Sequence, residues 1–169
     1  GVYKNSAGET PIMKAIQMAQ EVVIENQKTK SYVGLAGCEE FNQSMIDLLL
    51  TDTSAMDRVA AIQTPGASGA LRMLGDLMKV AQPDTTVWIS NPSYVNHKPV
   101  MEAAGLKVKF YHYFSPETKQ VDTAKMLEDL SKAGPSDVVL LHGCCHNQQP
   151  CRSTCLLYTS DAADDDAGV

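Results

Sequence analysis

An α/β fold, with a mostly parallel sheet covered by helices on both faces, is the class this sequence predicts. Beyond residue 57, short apolar runs of strand length alternate with amphipathic stretches of helix length, with small-residue turns between them. That rhythm marks βαβ units, because parallel neighbours need a crossover connection. At 169 residues, 44% of them hydrophobic, the chain is also long enough to bury a core.

The first element is a helix over 11–27, where Ile12, Ala15, Ile16, Ala19, Val22 and Val23 fall on one stripe at helical spacing. Pro11 suits its first turn and Thr10 its N-cap. A loop containing Tyr32 leads to a second helix over 39–50, with Phe41, Met45, Leu48 and Leu49 facing inward. Residues 58–63 read as a strand. The turn Gly66-Ala67-Ser68-Gly69 follows, then a helix with Leu71, Leu74, Leu77 and Met78 inward. Strands are predicted over 86–90, 107–113 and 137–142, separated by helices over 96–104, ended by Gly105, and over 123–133.

Composition narrows the function classes. The formal charge of −6 opposes nucleic-acid binding, which needs a basic face. Four aspartates in the last fifteen residues supply most of it; without them 16 acids face 14 bases. No run approaches the ~20 apolar residues of a membrane span. Gly1 opens the chain with neither an initiating Met nor a signal-peptide apolar region, which predicts a piece of a longer, cytoplasmic protein. Cys38, Cys144, Cys145, Cys151 and Cys155 form an odd, crowded set, better suited to a reducing compartment than to a disulfide framework.

Three places offer chemistry. Gly66 to Gly69 is a small-residue turn from strand to helix. The first N–H groups of a helix lack partners and its dipole is positive there, so a phosphate docks readily, with the Ser68 hydroxyl as a further donor. The bland alternative is a tight turn. The turn lacks the Gly-Lys-Ser/Thr of a Walker loop, and no ribose-binding acid ends the next strand. At Ser90-Asn91-Pro92-Ser93-Tyr94, a strand end delivers Tyr94 and His97 to the carboxyl edge of the sheet, where such folds bind ligands. Tyr94 can stack on a flat heteroaromatic ring. Finally, His142, Cys144, Cys145 and His146 raise the possibility of zinc, although adjacent cysteines seldom ligate one ion and no second pair follows.

Taken in order, 1–4, 63–72, 90–97, 103–106 and 137–147 resemble the aspartate and aromatic aminotransferases of the fold-type-I pyridoxal-phosphate class. The resemblance implies part of a three-layer α/β/α large domain that binds pyridoxal 5'-phosphate. It implies an amino acid:2-oxo acid aminotransferase of the EC 2.6.1 type, with no metal. Gly66, Ala67 and Ser68 would hold the cofactor phosphate, where the family usually shows Gly-Gly-Thr or Ser-Gly-Thr. Tyr94 would stack on the pyridine ring in place of the usual Trp, and His97 would support it from behind. Asn147 would bond the phenolic oxygen of the cofactor and meet the substrate carboxylate, and Gly1 and Tyr94 would also bind the substrate. Tyr32 would reach the phosphate of the other subunit, implying a homodimer. The Schiff-base lysine has no match among the lysines of this chain, so the resemblance implies that the chain alone is inactive.

By the same resemblance, 1–10 is a remnant of the small domain and 11–147 a partial cofactor-binding domain. The family continues Pro-Thr-Gly after the asparagine; this chain reads Gln148-Gln149-Pro150, and 148–169 is expected to be aberrant. Within it, 155–164 matches, residue for residue, a translation of the transposon-end adapter used in sequencing libraries. Two alternatives remain: a phosphate- or nucleotide-binding α/β module using Gly66–Gly69, and a small metal-binding protein.

Overall fold

The computed structural model describes residues 3–50 and 58–143. The chain divides into two compact units, Gly1–Gln63 and Thr64–Val169. Among the described residues, no helix is long and apolar enough to cross a membrane.

The first unit carries α1 (Lys14–Asn26) and α2 (Glu39–Leu50). The predicted stripe does form α1, but the helix begins three residues late, after an extended Met13 rather than at Thr10. Burial does not set that boundary, since no residue of α1 is buried and Ile12, Ile16, Val22 and Val23 are all more than half exposed. Helix α2 has the predicted span, yet Phe41, Leu48 and Leu49 are exposed, and its inward face is Asn42, Met45 and Ile46. The buried Asn42 amide donates to the Ala36 carbonyl at 2.8 Å. Residues 58–63 form no strand. A strand needs a neighbour to complete its ladder, and here the Gln63 N–H donates instead to Ala36 O at 2.9 Å. The Gln63 side chain accepts from the Cys38 N–H at 3.0 Å, fastening the segment to the loop before α2.

The second unit is the predicted α/β structure. Strand β1 (Thr86–Asn91) lies between β2 (Lys107–His112) and β5 (Val138–Leu140), parallel to both. Strand side chains alternate between faces. Val87 and Ile89 therefore join Met101, Ala104 and Leu106 in one core cluster, under α3 (Gly66–Ala81) and α4 (His97–Ala103). Trp88 joins Tyr111, Tyr113 and Met126 in a second, under α5 (Thr123–Leu130). Between β2 and α5 sits a hairpin of β3 (Phe114–Ser115) and β4 (Gln120–Val121), too short for any periodicity to have foretold.

Local chemistry fixes the joints. Helix α4 ends as predicted at Gly105, whose φ of +79° suits a residue without a Cβ. The Gly105 N–H donates to Glu102 O at 2.9 Å and the Leu106 N–H to Met101 O at 3.1 Å. Those two bonds define a Schellman motif, which turns the chain from α4 into β2 while burying Leu106 against Met101. Helix α5 is held to the end of β2 through Asp129. Its carboxylate accepts from the His112 N–H at 3.0 Å, the His112 ring Nδ1 at 2.6 Å and the Lys132 ammonium at 2.9 Å. Lys132 first, then the His112 ring and amide, hold the Asp129 carboxyl well below the usual carboxylate range.

Helix α3 corrects the predicted inward face. Leu71 and Met78 pack on the core, whereas Leu74 and Leu77 are exposed, and the buried residue is Gly75. A Cβ at Gly75 would stand 2.9 Å from the Ala104 Cβ and 3.5 Å from the Met101 sulfur, so α4 approaches α3 where there is no side chain. Gly75→Ala should therefore destabilise the unit by about 1–2 kcal/mol, overpacking outweighing the ~1 kcal/mol gain in helix propensity. Chemical denaturation would show it; an increase in stability would mean that the helices can move apart freely.

Candidate functional site

From β1 the chain crosses through α4 to β2 on one side, then through α5 to β5 on the other side of β1. This reversal makes β1 a topological switch point, and the crevice beyond the carboxyl ends of β1 and β5 is where an open α/β sheet receives a ligand. Two segments run into it. One follows β1 through a cis Asn91–Pro92 bond to Ser93, Tyr94 and the start of α4. The other follows β5 to Leu141 and His142.

His97 organises the first segment. It is buried, its backbone N–H donates to Tyr94 O at 3.0 Å, and its Nδ1 lies 2.8 Å from the Ser93 hydroxyl. Burial lowers its pKa and favours a neutral imidazole. Its ring meets the half-buried Tyr94 edge to face, centroids 5.4 Å apart at 80°. On its other side it meets His142 at 5.0 Å and 89°. Tyr94, His97 and His142 thus form a row of rings from the loop after β1 to the end of β5.

Only residues 82–85 separate the last turn of α3 from the start of β1, so the first turn of α3 is the end of the helix remote from that junction. A Cβ at Gly75 would stand 3.8 Å from Leu106, just before β2, and Gly66 is nine residues nearer the helix start, roughly 13 Å along the axis. Strand β1 rises by a similar amount, about 16 Å over its length. The turn suits a phosphate. Gly66 has φ of +73° with open space where a Cβ would stand, and no side chain caps the helix. Gly66, Ala67 and Ser68 are all exposed. An uncapped helix start with exposed small residues offers donors that suit a phosphate, and the aromatic row offers a ring face.

The profile described as Aminotransferase class I and II matches residues 1–149. The chain belongs to the class I and II aminotransferases. Among its relatives, the aromatic-amino-acid aminotransferase of Paracoccus denitrificans is 44% identical over 147 residues, covering 87% of this chain and 37% of the relative. An aspartate aminotransferase of Salmonella typhi is 43% identical over 150 residues, covering 87% and 38%. Of the solved structures, an aromatic amino acid aminotransferase with 3-indolepropionic acid superposes with a TM-score of 0.88 at 41% identity, covering 96% of this chain and 42% of that one. The Burkholderia pseudomallei aromatic-amino-acid aminotransferase, covalently bound to pyridoxal phosphate, superposes at 0.84 with 29% identity, covering 98% and 43%. The chain therefore spans about two fifths of the length of these relatives.

Of the residues singled out in the sequence, the fold brings Tyr94 and His97 into contact and sets Gly66, Ala67 and Ser68 at the first turn of α3. Tyr32 is fully exposed in the first unit. Gly1, Asn147 and the whole of 148–169 lie outside the described residues, as do Cys144, Cys145 and His146 of the zinc alternative. Two neighbours of His97 were not foreseen in that role. Ser93 stands four residues before His97, a spacing that could have flagged it, whereas His142 meets His97 only because the strands are adjacent. The first unit also has a cleft of ≈ 560 Å³ at Gly34–Gly37, Asn42 and 59–61, with Glu39 its one charged lining residue. A lone carboxylate there is no catalytic constellation.

Proposed function

We propose that this chain forms part of the cofactor-binding domain of an amino acid:2-oxo acid aminotransferase of aspartate or aromatic type, using pyridoxal 5'-phosphate. The observation that carries the reading is the locked pair of Tyr94 and buried His97 at the switch point. When bound, pyridoxal phosphate supplies a ring that draws electrons from the substrate α-carbon. The residues of this chain hold and orient it. The N–H groups of Ala67 and Ser68 and the Ser68 hydroxyl take the phosphate, the Gly66 N–H being donated to the Thr64 carbonyl at 2.8 Å, with small residues at 66 and 67 leaving the backbone accessible. Tyr94 presents a π-face to the pyridine ring, and neutral His97, bonded to Ser93, keeps Tyr94 from turning. Gly1 and Asn147 are assigned to the substrate and Tyr32 to the phosphate site of a second subunit, on the strength of family resemblance. A cytoplasmic homodimer acting on amino and 2-oxo acids is the corresponding whole.

Titrating the chain with pyridoxal phosphate and with AMP separates this reading from a nucleotide-binding module. Pyridoxal phosphate should bind at least about tenfold more tightly, because one CH2–O link joins its ring to its phosphate, whereas a ribose separates those of AMP. Equal affinity, or a preference for AMP, would favour the nucleotide reading.

A further inference from the structure

We propose that Asn96 sets the polarity of the Tyr94 hydroxyl, reserving its proton for an anionic oxygen of the ligand. Resting on the aminotransferase reading, that oxygen belongs to the carboxylate of an amino or 2-oxo acid. The Asn96 side-chain nitrogen donates to the Tyr94 phenolic oxygen at 2.9 Å. An amide nitrogen has protons to give and no lone pair to accept with, so this bond occupies an acceptor position of the phenol and leaves the phenolic proton uncommitted to Asn96.

Geometry then limits where that proton points. A phenolic O–H favours the plane of its ring, with two in-plane directions, and Asn96 takes one. The ring is held by the edge contact with His97, and its backbone by the bond from the His97 N–H to the Tyr94 main-chain carbonyl, so the second direction is set by the same ring placement. Asn96 is itself anchored as the first residue before α4, its carbonyl accepting from the Val100 N–H at 3.1 Å. A fixed neutral donor, with no acceptor duty left on one side, binds a carboxylate oxygen better than an uncharged one, because hydrogen bonds to ions are the stronger kind. Tyr94 thereby selects for negative charge while presenting its face to a ring. Asn96 is the positioning residue that makes it do so.

The test is a double-mutant cycle on the 169-residue chain, with 3-phenylpropionate as probe and its neutral amide as control. Y94F should weaken 3-phenylpropionate about tenfold and the amide much less. N96A should weaken 3-phenylpropionate about threefold, with no further effect in the Y94F background. Asn96 makes no side-chain cap bond to α4, so N96A leaves the helix start intact. N96G, also acceptable at that position, repeats the measurement if N96A fails to fold. Isotope-edited infrared of the ring-labelled chain, with the Y94F spectrum subtracted, should show the Tyr94 C–O stretch shifting in N96A. No binding of 3-phenylpropionate, equal losses in both backgrounds, equal losses for acid and amide, or an unmoved stretch would overturn the proposal. Failure of pyridoxal phosphate to bind, with the cycle intact, would instead overturn the aminotransferase reading and leave the donor assignment standing.

Discussion

Asp137→Ala should cost the second unit about 2 kcal/mol or more, the largest loss expected from any single polar change described for it. The carboxylate accepts from the Trp88 indole N–H at 2.9 Å, the Gly134 N–H at 3.0 Å and the Thr86 N–H at 3.3 Å. It thus ties the start of β5 to β1 through a tryptophan that is 4% exposed. Alanine would strand that buried indole donor without an acceptor, and an orphaned buried donor loses its full desolvation cost. Asp137→Asn should cost less, since the amide oxygen can still take the indole. The Trp88 indole foremost, then the Gly134 amide, lowers the Asp137 pKa. With the folded value below the unfolded one, this stabilisation is complete above the unfolded carboxylate range, near pH ~4, and is lost as pH falls through the folded value. Urea denaturation at neutral and acid pH reads both effects. Equal midpoints for the wild type and D137A at neutral pH would show that the indole finds another partner.

Ser68→Asp should move stability and ligand affinity in opposite directions. Position 68 lies in the first turn of α3, a 16-residue helix with no acidic residue there. A carboxylate beside the helix N-terminus is favourable, so the variant should be more stable by about 0.5 kcal/mol. The same carboxylate would sit where the phosphate of the cofactor is assigned. Repulsion between the two anions, added to the lost hydroxyl donor, should weaken pyridoxal phosphate on the order of 100-fold. Pyridoxal, which lacks the phosphate, should be almost indifferent to the change. A loss of affinity shared equally by pyridoxal and its phosphate would remove the phosphate from the α3 turn.

The sequence made some of this structure legible and hid the rest for identifiable reasons. The path from β1 through α4 to β2 could be read because each step is local. Four consecutive buried side chains from Val87 to Ser90 suit a central parallel strand, and Gly105 stops the helix by its own backbone geometry. The inward faces of α2 and α3 were misread because periodicity reports which residues can be buried, not what lies opposite them. Leu74 and Leu77 continue the stripe, but it is Gly75 that meets α4. The strand expected over 58–63 shows the same limit, since strand character depends on a neighbour. At the site, Tyr94 and His97 were visible as residues at a strand end, and Gly66 to Ser68 as a turn that opens a helix. The bonds that orient them were not. Asn96 and His142 acquire these roles only from distances within the fold, and Ser93 had only its spacing from His97 to mark it.

Strand β1 also bears on how such a chain can diverge. Its odd-numbered residues Val87 and Ile89 serve one core and its even-numbered Trp88 the other, so the two cores share a backbone and no side chains. A size change under α4 can be offset by neighbours on that side, and one under α5 by Met126 or Tyr113 on the other, each without consulting its counterpart. Lineages can drift on either flank independently while β1 itself, a wall common to both rooms, tolerates change least.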